Sequence, residues 1–158
     1  MIAALVAPVV LGSAMGEAAA APVVTPLPIP VVTGPEIGPG GVPGGVLQTI
    51  SVVGTTGERP GTVTFSVPVP APYHYQYNYR WITVHWRNLT TGAAGSVELR
   101  HWNKIPAGEN YAAALPTSAS VVTGAGPVLV TATHNREQYQ APPQSNALVP
   151  GAGIVLAA

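Results

Sequence analysis

The sequence predicts an all-β protein, an antiparallel immunoglobulin-like β-sandwich of about seven strands, with a small β-barrel as the alternative. Three observations carry this. From residue 46 onward apolar and polar residues alternate with a period of two, as a half-buried strand requires. After position 20 no stretch shows the 3.6-residue period of an amphipathic helix. Clusters containing Gly or Pro punctuate the alternating runs at short intervals and supply the turns.

The chain opens differently. Residues 2–11, IAALVAPVVL, form an apolar run too short to cross a bilayer as a helix but of the length found in a secretion signal. The small residues Ala18, Ala19, Ala20 and Ala21 follow, and cleavage after Ala20 satisfies the small-residue rule while keeping Pro22 away from the first mature position. No Lys or Arg precedes the apolar run, which leads us to expect that translation starts upstream of Met1. Residues 1–20 are therefore read as a signal peptide, and the mature chain as having no stable membrane span. Residues 21–45 form a Pro/Gly-rich flexible segment: residues 22–45 alone hold seven Pro and six Gly, which remove amide donors and raise the entropy of ordering. Residues 46–158 are the sandwich.

Within that domain, VLQTISVV (46–53) and GTVTFSVPV (61–69) are strand candidates joined by the turn-rich GTTGERPG (54–61). The clearest hairpin is Arg80–Asn88 with Ser96–Trp102, connected through LTTGAAG (89–95). In the first arm Ile82, Val84 and Trp86 share a face and in the second Val97 and Leu99 do, while Glu98 and Arg100 take the other face, where they can remain in water. Further strands are expected at Ala119–Thr123, Pro127–His134 and Ala147–Ala158, the last interrupted at Gly151-Ala-Gly153.

Composition excludes several functions. Six basic residues balance six acidic ones, and loss of residues 1–20 removes only Glu17, so no basic surplus exists for nucleic acid. There is no Cys, which rules out disulfides, thiol catalysis and thiolate metal ligands. His74, His85, His101 and His134 show no metal-ligand spacing, and no metal or other cofactor is expected. No nucleophile elbow is present, and Glu98 and Glu109 are the only carboxylates near one another in the sandwich, so the protein is read as non-enzymatic, with a secreted hydrolase as the third alternative. Asn88-Leu-Thr90 matches an N-glycosylation acceptor triplet.

The segment that departs most from ordinary composition is YHYQYNYRW (73–81). Tyr73, Tyr75, Tyr77, Tyr79 and Trp81 recur at every second residue, so an extended chain sets five aromatics on one side. Such a stripe is the candidate ligand site: ring faces bury the apolar side of a sugar while the Tyr hydroxyls stay hydrated. Core packing and protein contact are the competing readings of the same pattern.

The leader, the Pro/Gly segment and the stretches WRNLTTGAAGSVELRHW (86–102) and VVTGAGPVLVTAT (121–133) resemble small secreted or cell-envelope β-proteins of mycobacteria and related actinomycetes. The resemblance implies a secreted or envelope location, and carries no catalytic residue with it. The expected role is that of an exported structural or interaction protein whose partner is cell-wall polysaccharide or an envelope protein. A carbohydrate-binding module using the aromatic stripe is the main alternative.

Overall fold

The computed structural model describes residues 21–34, 36–37, 43–44, 47–69, 80–100, 117–138 and 141–158. The expected signal peptide, and the tyrosines of the aromatic stripe, lie outside them. Among the described residues every regular element is a strand. In chain order these are β1 (Val23–Pro26), β2 (Val31–Thr33), β3 (Glu36–Ile37), β4 (Pro43–Gly44), β5 (Thr49–Ile50), β6 (Val53–Thr56) and β7 (Thr62–Ser66). They continue as β8 (Arg80–Asn88), β9 (Ala94–Arg100), β10 (Ser118–Val122), β11 (Gly126–Gln138), β12 (Ala141–Ser145), β13 (Ala147–Val149) and β14 (Gly151–Ala157).

Two antiparallel sheets make the sandwich, and neither closes into a barrel. The first has the order β1-β6-β7-β10. The second runs β9-β8-β11, and the far edge of the long β11 is shared by β14 along 126–132 and by β12 beyond it. Following the chain, β6 and β7 lie in the first sheet, β8 and β9 in the second, β10 returns to the first, and β11 and β14 close the second. That alternation is immunoglobulin-like.

Alternation places the core. Val63 and Phe65 of β7 face Val84 of β8, Val128 and Val130 of β11 and Val155 of β14, and all six are completely buried in one apolar cluster. The hairpin faces match the sequence reading: Ile82, Val84 and Leu99 are buried, Trp86 and Val97 pack against the same cluster, and Glu98 is exposed. At one crossing the sheets approach so closely that a Cβ on Gly54 would stand 2.8 Å from Val155 Cγ2. A side chain there would displace Val155, and β6 runs from Val53 three residues into the stretch expected to be a turn.

The largest departure from the sequence reading is in the Pro/Gly segment. Residues 23–26 and 31–33, expected to be flexible, are strands, and Leu27 and Val31 reach the core. The prolines do not prevent pairing because they themselves recur with period two. Pro26, Pro28 and Pro30 occupy even positions, so the N–H groups of Leu27 and Ile29 remain on the side facing neighbouring strands. Leu27 N–H donates to Val52 O at 2.9 Å, and Ile29 N–H to Ala152 O at 3.2 Å. The segment thus leaves the edge of the first sheet, bridges to β14 of the second, and continues as β2 between β5 and β13.

Candidate functional site

Two buried polar side chains hold the ends of the sandwich. Asn88, the last residue of β8, is completely buried. Its Oδ1 accepts from the N–H of Thr90 (2.8 Å) and of Thr91 (3.0 Å), shaping the β8–β9 turn. Its Nδ2 faces the carbonyls of Thr123 (3.0 Å), Gly124 (3.1 Å) and Ala125 (3.0 Å) in the β10–β11 connection. One side chain therefore joins a turn within one sheet to the link between sheets. Gly126, at φ +116°, completes the contact, since a Cβ there would lie 2.5 Å from Thr90 Oγ1. With its amide so engaged, Asn88 of the acceptor triplet is closed to glycosylation in the folded protein. The sequence showed the triplet but not this role, although Asn-Leu-Thr-Thr-Gly is also an Asn-initiated turn signal.

At the opposite end, His134 of β11 is buried and its Nδ1 donates to Asn146 Oδ1, which fixes the tautomer with the proton on Nδ1. Asn146 N–H donates to His134 O at 3.0 Å, and Asn146 O accepts from Gly34 N–H at 2.7 Å. This ties β11 to the small β2 sheet. Burial pushes the imidazole below its ordinary range, the Asn146 bond opposes that shift, and the nearby Arg80 charge adds to it.

Neither arrangement has chemistry to spare, so the candidate surface is the outer face of the β9-β8-β11-β14 sheet. Strand register arranges it in rows. Arg100, Trp81 and Asn135 form the first; Glu98, Thr83 and Thr133 the second; Ser96, His85 and Thr131 the third. Beyond them Ala94, Arg87, Leu129 and Ile154 are aligned, and Leu156 lies on β14 past Ile154. The face grades from polar to apolar, and Leu129, Ile154 and Leu156 are 40%, 51% and 69% exposed.

At the polar end Trp81 is buried, and the Arg100 guanidinium stands 4.1 Å from its ring centroid. Trp81 Nε1 donates to Thr83 Oγ1 at 3.0 Å, and Asn135 Nδ2 donates to the same oxygen at 2.8 Å. Arg100 Nε donates to Glu98 Oε2 at 2.8 Å. Trp81 is the one member of the Tyr73–Trp81 stripe among the described residues; Tyr73, Tyr75, Tyr77 and Tyr79 lie outside them. Because its ring is buried and carries Arg100, Trp81 is a support for that cation rather than an open stacking face.

Of the four histidines, His85 is exposed and His134 internal, while His74 and His101 lie outside the described residues, as does Glu109. No group of three His, Cys, Asp or Glu side chains converges among the described residues. None of these residues forms a helix long and apolar enough to cross a membrane.

The fold and the surface together define an antiparallel β-sandwich with an outer face that grades from polar to apolar. Comparison with protein-family models, curated proteins and solved structures finds no match.

Proposed function

We propose that this protein is an exported, non-enzymatic structural or interaction module of the cell envelope. One observation carries the interaction reading: the exposed apolar row Leu129, Ile154 and Leu156 on an ordered sheet face. Alternation should place polar residues on the solvent side of such a sheet, and a contiguous apolar row there is what a contact surface presents. No charged residue occurs between 138 and 158, so β14 adds no charge to this rim, while Arg87, opposite Leu129, borders the row on its inner side. The apolar run and small residues before Pro22 support export, and the stable contact is made outside the cytoplasm.

The test places a photo-crosslinking residue at position 154, or at Ser120 on the outer face of the other sheet, in protein produced by its native host. Recurrent adducts with one envelope component from position 154, and few from 120, are expected. Equal labelling from both positions removes the proposed contact face. Intact mass of the recovered protein tests export, because cleavage after Ala20 removes residues 1–20.

A further inference from the structure

The polar end of the same face has a feature the apolar row does not explain: hydrogen-bonding groups held in place by the protein and left unspent. Thr83 Oγ1 receives two donors, Trp81 Nε1 and Asn135 Nδ2. A hydroxyl accepts at two lone pairs, so both are used and its own proton is left to donate away from the sheet. Asn135 Nδ2 reaches Thr83 Oγ1 and, more distantly, Thr133 Oγ1 at 3.4 Å, so the Asn135 amide is locked with its Oδ1 acceptor free. In the neighbouring strand, Arg100 commits only Nε to Glu98 Oε2, leaving its terminal N–H groups and Glu98 Oε1 available.

These groups form two donor–acceptor couples, Thr83 with Asn135 and Arg100 with Glu98. The side chains of Arg100 and Glu98 are 29% and 50% exposed. Each couple offers one donor and one acceptor within a short distance, the pattern that two adjacent hydroxyls of a sugar satisfy, since each hydroxyl both gives and takes a hydrogen bond. The charges of Arg100 and Glu98 cancel locally, so the field suits an uncharged ligand. Pre-organisation is built in: the Trp81 indole supports the Arg100 guanidinium, and Trp81 and Asn135 together fix the Thr83 hydroxyl.

We infer that Arg100, Glu98, Thr83 and Asn135 form a binding site for the hydroxyls of a neutral hexose glycan, with Trp81 as the positioning residue beneath it. The site goes beyond the contact role of the apolar row and does not depend on it. At this site a polar field backed by an aromatic ring does the recognising. Four side chains on a sheet face make the contacts, so affinity for a single sugar is weak and grows with chain length.

The test titrates maltohexaose, cellohexaose and mannohexaose separately into the isotope-labelled mature protein and follows amide, indole and guanidinium resonances. Saturable shifts at the Trp81 indole N–H, the Arg100 Nε–H and the Asn135 side-chain amide are expected for at least one glycan. The surface variant Glu98→Gln/Arg100→Gln should weaken that binding at least tenfold, with Thr83→Val as a second variant that removes the outward donor. Thermal midpoints verify that each variant is folded, and the exposed double variant remains informative if Thr83→Val is not. Absence of shifts with all three glycans overturns the site, as does binding that maps elsewhere or survives in the folded double variant. Crosslinking from position 154 is unaffected by either outcome, so failure of this site and failure of the apolar contact face are distinguishable.

Discussion

Replacing Asn88 with Ala tests the account of how the sandwich is tied together. The substitution leaves the β8 backbone intact but deprives the Thr90 and Thr91 N–H groups of their acceptor. It also strips the carbonyls of Thr123, Gly124 and Ala125 of the amide that served them. The two hydrogens of Nδ2 are shared among three carbonyls, so about four effective hydrogen bonds are lost, each worth about 1 kcal/mol net. Some of the freed groups lie at turns and regain water, which brings the expected loss to about 2–4 kcal/mol, a large part of a domain's usual 5–15 kcal/mol. Asn88→Asp separates hydrogen bonding from size: a carboxylate facing three carbonyl oxygens at neutral pH should be worse than Ala and should recover as the pH falls and the carboxyl protonates. Urea titrations of the three proteins give the midpoints and slopes. A change below about 0.5 kcal/mol for Asn88→Ala would refute the clamp, since surface substitutions fall in that range. An Asp variant as stable as the parent at neutral pH would refute the assigned amide orientation.

Further expectations follow from the same structure. Because the folded state depresses the His134 pKa, the unfolded chain takes up the proton first as pH falls below about 6.5, so His134 costs no stability above that value and progressively reduces it below. His134→Gln should therefore lose less stability than the parent between neutral and mildly acidic pH in urea midpoints, and equal losses would contradict the burial argument. Gly126→Ala forces a side chain into φ +116° against Thr90 and should lower the thermal midpoint by several degrees, whereas Gly92→Ala at φ +77°, with open space around it, should cost less. Ile29→Pro removes the donor that bridges to Ala152 and should increase hydrogen exchange at Ala152, while Pro28→Ala should leave that exchange unchanged.

Much of the fold was legible because alternation is a local property. The hairpin Arg80–Asn88 with its partner strand showed which side chains enter the core, since a pleated strand sends successive residues to opposite faces. Residues 23–26 and 31–33 depart from the flexible reading of the Pro/Gly segment for an equally local reason. Its Pro count argues against ladders, but the spacing of Pro26, Pro28 and Pro30 matters more than their number, and the spacing becomes meaningful only once a partner edge is available on one side.

The sequence by itself determined the all-β class, the in–out pattern of the central strands and the absence of thiol chemistry, because periodicity and composition are written residue by residue. Only the tertiary structure decided that Asn88 is a clamp, that Trp81 lies under Arg100, and that Leu129 and Ile154 form one row. Each of these relations joins residues on different strands, and the register that aligns strands is set by burial of the shared core rather than by any one segment.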